Sequence, residues 1–141
     1  MKRFATRATI RATPERVWTL LTDVHRWPTW NTTVDSVEGA VALGQKVTVR
    51  VKAAPGKAFP VKVAALEPPR RMVWRGGLPI GLLFKGERTY LLTPRGGGEV
   101  EFSMEEVFDG LLSGVIARSI PDMQPAFDEF AACLKAAAEK G

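Results

Sequence analysis

The sequence predicts an α+β protein: a curved antiparallel sheet of about seven strands wrapped around a long C-terminal helix, with two short helices after the first strand. Three observations carry this reading. Apolar residues alternate with period two over most of the chain before residue 110. Thr13-Pro14-Glu15 interrupts that alternation with a helix start. From Leu111 the apolar spacing changes to three and four. With 141 residues, 45% of them hydrophobic and 25% charged, the chain is one globular domain whose core needs no disulfide or metal staple.

Residues 2–12 form the first strand, because Arg3, Arg7 and Arg11 hold one parity and Phe4, Thr6, Ala8, Ile10 and Ala12 the other. Thr13 then serves as N-cap, Pro14 takes the first helical position, and Glu15 sits near the positive end of the dipole. Val17, Trp18, Leu20 and Leu21 give this helix its apolar face. A second short helix or turn runs from Asp23 to Trp30, interrupted by Pro28. Residues 32–38 read as a weak strand and Gly39–Gly44 as a turn. Residues 45–53 and 59–67 pair around Ala54-Pro55-Gly56-Lys57, with Val47, Val49 and Val51 on the same side as Val61, Val63 and Ala65. A strand over 70–76 puts Met72 and Trp74 on one face. Strands 83–94 and 99–109 join across Arg95-Gly96-Gly97-Gly98. Leu112, Val115, Ile116, Ile120, Met123, Phe127, Phe130 and Leu134 mark the long helix, which Pro121 and Pro125 should kink or restart, with Ser119 as a cap.

Composition excludes much. One cysteine (Cys133) and one histidine (His25) rule out zinc sites built from these ligands and any internal disulfide, so no metal or cofactor is expected. The longest charge-free run, Gly76 to Phe84, is far short of the roughly 20 residues of a membrane span. No signal peptide is visible at the start, and a cytoplasmic location is expected. The net charge of +5 is mild. In Lys46-Val47-Thr48-Val49-Arg50-Val51-Lys52 the charges alternate with valines, as on a solvated outer face or one that meets an acidic partner or membrane surface. Without interleaved aromatic residues it is no base-stacking surface, so nucleic acid is not expected as a partner. Gly39–Lys46 has phosphate-loop glycine spacing, but Gln45 stands where lysine is needed. Gly110-Leu111-Leu112-Ser113-Gly114 is not a nucleophile elbow, and Glu105 and Glu106 point to opposite faces of one strand.

The proportions of the fold matter for function. Seven strands at about 4.8 Å span roughly 30 Å, whereas one helix covers about 10–12 Å. The gap is either filled by large side chains or left as a cavity. The inward set is Phe4, Val49, Val63, Trp74, Phe84, Tyr90, Phe102, Met104 and Phe108, which suits an apolar pocket as well as a core. In the last hairpin, if Leu92 faces Phe102, then Tyr90 opposes Met104 and Arg88 opposes Glu106 on the same apolar side. That places an ion pair in the hollow, either self-compensating or anchoring the polar end of a ligand. The glycine-rich, apolar Gly76–Leu82 connection either packs under the long helix or forms a lid or docking contact. Trp27, Trp30 and Asn31 belong where the short helices meet the sheet, and Asn31 offers an amide for a ligand or for capping.

Ile10-Arg11-Ala12-Thr13-Pro14-Glu15-Arg16-Val17-Trp18, Leu21-Thr22-Asp23 and Trp27-Pro28-Thr29-Trp30-Asn31 resemble the opening of the polyketide cyclase/dehydrase-like branch of the START-like (SRPBCC) superfamily. Met72–Gly76, Phe84–Tyr90 and Glu106–Gly110 are similar to its later strands. The resemblance covers essentially the whole chain and implies a helix-grip fold. The histidine often found where Arg88 stands is absent. The superfamily includes lipid carriers, cyclases and chaperone regulators. The expected function is therefore binding or carriage of a hydrophobic small molecule, lipid-like or polycyclic, with an aromatase/cyclase or an interaction module as alternatives. The ligand-binding set is Trp30, Asn31, Trp74, Phe84, Arg88, Tyr90, Phe102, Met104, Glu106 and Phe127; no residue is assigned a catalytic role. Transient contact with a membrane or partner protein is compatible with this function.

Overall fold

The computed structural model describes residues 2–77, 85–110, 114 and 122–140. Seven strands form one sheet: β1 (Lys2–Ile10), β2 (Val34–Gly39), β3 (Lys46–Val51), β4 (Phe59–Glu67), β5 (Arg71–Gly77), β6 (Lys85–Gly96) and β7 (Glu99–Asp109). Helix α1 (Pro14–Thr22), a 3-10 turn (Val24–Arg26) and helix α2 (Trp27–Trp30) separate β1 from β2, and α3 (Gln124–Glu139) ends the fold. The sheet order is β1-β7-β6-β5-β4-β3-β2, with every pair antiparallel. This is the α+β helix-grip architecture that the alternation and the late helical period predict.

Local chemistry fixes the elements. Thr13 caps α1, its hydroxyl accepting from the Arg16 amide at 3.1 Å, and Pro14 follows at the first turn. The β6–β7 turn is Gly97-Gly98, both at positive φ (64° and 79°), the left-handed pair that a two-residue hairpin of the I′ kind requires. Pro28 lies within the first two positions of α2, so it opens that helix rather than interrupting it. Pro125 holds the same place in α3, which begins at Gln124, in keeping with the expected restart. A first-turn proline lacks only an N–H that has no partner inside the helix. The Asp122 carboxylate accepts from the Gln124 amide at 3.0 Å; Ser119, expected as a cap, and the marker positions Leu112, Val115, Ile116, Ile120 and Pro121 lie outside the described residues.

Helix α3 lies along β1. Gln124 Nε2 donates to the Ala5 carbonyl at 2.8 Å, Lys135 Nζ to the Thr9 carbonyl at 2.7 Å, and the Thr6 hydroxyl to Asp128 at 3.0 Å. At its far end Arg16 donates to the carbonyls of Ala137 and Ala138, which lack intrahelical partners. The Glu139 carboxylate accepts from the Arg11 amide at 2.8 Å and from Lys135 at 2.7 Å.

The core is aromatic where α2, α3 and the sheet meet. Trp27 stacks on Trp74, with ring centroids 5.4 Å apart and planes within 15°. Phe130 of α3 meets the Trp27 ring edge-on at 5.2 Å and stacks on Phe102 at 6.0 Å. Tyr90 closes against Trp74 at 5.0 Å. Trp27 is itself held in place, its indole N–H donating to the Leu20 and Leu21 carbonyls. In this half the gap between sheet and helix is therefore filled rather than hollow, because the short helices send a tryptophan into it.

One expectation of side fails. A bulge between Val63 and Ala65 shifts the β4–β5 register, so Ala65 pairs with Val73 while Leu66 pairs with the inward Met72. Ala65 thus lies opposite Val63 in facing, and Leu66 packs on the core in its place.

Candidate functional site

The strand register assembles the site in rows across the concave face. Val63, Trp74, Arg88, Glu106 and Phe4 align across β4, β5, β6, β7 and β1. Met72, Tyr90, Met104 and Thr6 form the row on one side. On the other side stand Gly76, Gly86 and Phe108. Leu92, Tyr90 and Arg88 pair with Phe102, Met104 and Glu106, the register that alternation alone predicts for this hairpin.

Arg88 Nε donates to Glu106 Oε1 at 2.6 Å, and Arg88 Nη1 donates to the Tyr90 hydroxyl at 3.5 Å. The guanidinium lies 4.8 Å above the Phe127 ring centroid. The two charged side chains keep 19% and 13% of their surface, so the pair is largely withdrawn from water. Phe4 meets Phe127 at 5.9 Å and Phe108 edge-on at 6.4 Å, which completes an aromatic wall. Phe108 takes its position because Gly86 has no side chain: a Cβ there would stand 3.0–3.1 Å from two ring carbons. A Cβ at Gly76 would likewise stand 3.1 Å from Val61 Cγ1 and 3.2 Å from the Pro60 carbonyl.

Burial acts on both protonatable partners. It raises the Tyr90 phenol to about 12, although the neighbouring Arg88 charge and hydrogen bond pull it down. For Arg88 burial pulls downward, but the Glu106 charge and the hydrogen bonds to Tyr90 and Glu106 outweigh it, so the guanidinium is held above its ordinary value. Both groups stay protonated at physiological pH. The site thus offers a fixed cation, a carboxylate and a neutral phenol at the edge of an apolar enclosure.

Of the sequence-predicted set, the structure brings Trp74, Arg88, Tyr90, Met104, Glu106 and Phe127 together. Phe102 lies deeper, in the filled aromatic half. Trp30 packs on Trp27 and Phe130 and reaches an outer groove instead. Asn31 is 1% exposed, its carbonyl oxygen accepting from the Thr33 amide and hydroxyl while its own NH2 has no partner among the described residues. Phe84 lies outside the described residues, as do residues 78–82 of the connection read as a lid. Phe108 and Gly86 belong to the site and were not in that set; the cross-strand pairing of Gly86 with Phe108 was the signal that would have found them.

Two concavities open elsewhere. A groove of about 700 Å³ runs between α1, α2 and α3, lined among others by Arg16, Arg26, Trp30, Cys133 and Lys140. In it the Cys133 sulfur is 3.3 Å from the Thr32 hydroxyl, which bonds Glu129. A depression of about 900 Å³ lies where β3 begins and β5 ends, lined by Leu43, Lys46, Lys62, Arg75 and Lys85 with the glycines of β5. Among the described residues no helix is long and apolar enough to cross a membrane.

A sheet gripping one helix, with an apolar interior and an ion pair on its concave face, defines the helix-grip class of hydrophobic-ligand-binding folds. A sequence profile of the family described as "Polyketide cyclase / dehydrase and lipid transport" matches residues 1–139, and the chain belongs to that family. A search of curated proteins returns no match. Among solved structures, a hypothetical protein from Helicobacter pylori is similar with a TM-score of 0.78 at 14% identity, covering 97% of this chain and 88% of its own. The di-domain ARO/CYC BexL of the BE-7585A biosynthetic pathway gives 0.72 at 14% identity, over 96% of this chain and 46% of BexL. The Aha1 dimer from Colwellia psychrerythraea gives 0.69 at 18% identity, over 99% and 97%. At these identities the likeness is one of fold.

Proposed function

We propose that the protein binds and carries an apolar small molecule, lipid-like or polycyclic, between the sheet and α3, and that Arg88, Glu106 and Tyr90 receive its polar end. The observation behind this reading is the ion pair itself. An arginine–carboxylate pair on the concave face of a sheet adds little stability over apolar side chains of similar volume, since desolvation offsets the attraction. Recognition of a polar group on an otherwise oily guest gives it a purpose. The filled half around Trp27 sets the floor, and the guest sits toward Phe4, Phe108 and Phe127. Such a carrier works in the cytoplasm and exchanges its cargo in transient contacts.

Carriage is favoured over catalysis by the protonation states. General acid–base work near neutrality needs a group whose pKa lies near the working pH, whereas Tyr90 is pushed up to about 12 and Arg88 higher still. Likeness to an aromatase/cyclase supports a second reading, in which the same three groups polarise a poly-ketone chain. Native mass spectrometry and solvent extraction of the purified protein should reveal a bound apolar molecule or uptake of one. A protein that takes up neither lipids nor polycyclic compounds would sink the proposal. Turnover of polyketide-like substrates would transfer it to the cyclase reading.

The role of the pair separates from folding in the double variant Arg88→Met/Glu106→Leu. It should melt within about 1–2 kcal/mol of the parent. Retention of the extracted molecule should nevertheless fall at least tenfold. Unchanged retention removes the anchoring role.

A further inference from the structure

The charge of this protein is not spread over its surface. Residues 39–66, which include β3 and β4, contain Lys46, Arg50, Lys52, Lys57 and Lys62 and no Asp or Glu. This stretch therefore carries the whole net charge of +5, and the remaining residues balance exactly as many bases as acids. All five basic side chains are exposed, and none forms an ion pair among the described residues. On the rest of the sheet's outer face the pattern is the reverse. Arg3 pairs with Glu105, Arg7 and Arg95 with Glu101, Arg11 with Glu99, and Arg70 and Arg71 with Glu67.

Register sharpens the contrast. Lys46 stands directly opposite Lys62, which stands opposite Arg75, so three cations occupy one cross-strand row on the outer face. Like charges placed opposite each other destabilise a sheet. Only Arg75 is compensated, by Glu87 at 2.9 Å. Lys85, which forms no ion pair among the described residues, adds a further cation at the rim of the same depression of about 900 Å³. Leu43, 66% exposed, lines it too, just before β3 begins.

We propose that this face, centred on Lys46, Lys62 and Lys85, docks the protein on an anionic phospholipid surface, with Leu43 entering the interfacial region. Lysines on long stems suit a diffuse layer of headgroups, and a neighbouring apolar side chain adds the hydrophobic contact that surface binding needs. A single aromatic residue provides no stacking platform for nucleic acid. The carrier reading gives docking a purpose, but the docking surface rests on charge and register alone and is measured separately.

The test is co-sedimentation of the full chain with phosphatidylcholine vesicles, with and without about 30 mol% phosphatidylglycerol. Anionic vesicles should bind at least tenfold more tightly, with the difference fading as salt rises. Lys46→Glu/Lys62→Glu should weaken that binding by more than about 25-fold, since each charge near such a surface is worth about fivefold. Arg26→Glu/Lys140→Glu changes the net charge equally on another face and should bind within about threefold of the parent. Leu43→Ser should remove the part of the binding that survives high salt. Melting curves establish that each variant is folded, and uptake of an apolar probe should be unchanged in Lys46→Glu/Lys62→Glu. Equal binding to both vesicle types, or equal losses in the two charge-reversed pairs, overturns the proposal. So does capture by soluble polyglutamate as tight as by vesicles, which would assign the face to an acidic protein. A chain that docks on vesicles yet takes up no apolar probe would leave this surface standing and remove the carrier reading instead.

Discussion

Arg88 and Tyr90 show how a single position in the register sets chemistry. The two are neighbours on one strand face, in adjacent rows opposite Glu106 and Met104, and the Arg88 guanidinium lies over the Phe127 ring. Tyr90 should therefore titrate near 12 rather than 10, which ultraviolet absorbance at rising pH reads directly because the chain has one tyrosine. The linkage has a definite sign. The folded-state pKa lies above the unfolded value, so the stability tied to the protonated phenol is intact below pH 10. It is lost as pH rises from 10 through 12, to an extent of roughly 3 kcal/mol. A phenol that ionises at its ordinary value would mean that water reaches it freely. At the same scale, Thr13→Ala removes the side chain that accepts from the Arg16 amide and should lower stability by about 1 kcal/mol in a denaturant melt.

Among the elements, β6 and β7 were the most legible. Two long alternating runs around a glycine triplet fix the pairing partner of every residue, so the Arg88–Glu106 contact could be read before any coordinates. The bulge in β4 could not, because Val63-Ala64-Ala65-Leu66 alternates no better in one register than in the other, and only the pairing with Met72 selects Leu66. Trp27 likewise carries no mark that distinguishes filling the hollow from capping it; four residues of helix α2 aim it, and that depends on where β2 begins. Phe108 was visible as inward-facing, but its seat over Gly86 needed the cross-strand neighbour. The C-terminal end of α3 offers a test of its own. Glu139 is pulled below the usual glutamate range, first by the Arg11 amide and then by Lys135. A group depressed in the folded state contributes stability above its unfolded pKa and loses it as pH falls through the folded value. An NMR titration should find Glu139 below the usual glutamate range, and protection of the Arg11 amide from exchange should fade as that carboxylate protonates.

For the molecule as a whole, the alternation correctly gave the layers and the enclosing shape, while the contents of the interior depended on side chains converging from distant segments. The result is an interior that is aromatic and filled beside α2 and holds a largely buried ion pair beside Phe127. One feature of the perimeter has a consequence for behaviour in solution. The sheet order leaves β1 at a margin, where its outward carbonyls would otherwise invite a strand from another molecule. Gln124 and Lys135, about three turns apart on α3, occupy the carbonyls of Ala5 and Thr9 on that margin. Gln124→Ala/Lys135→Ala should keep the native circular dichroism yet form higher oligomers during prolonged incubation, visible by light scattering, while the parent stays dispersed. The terminal helix is thus a guard against self-templated stacking as well as a cover for the concave face.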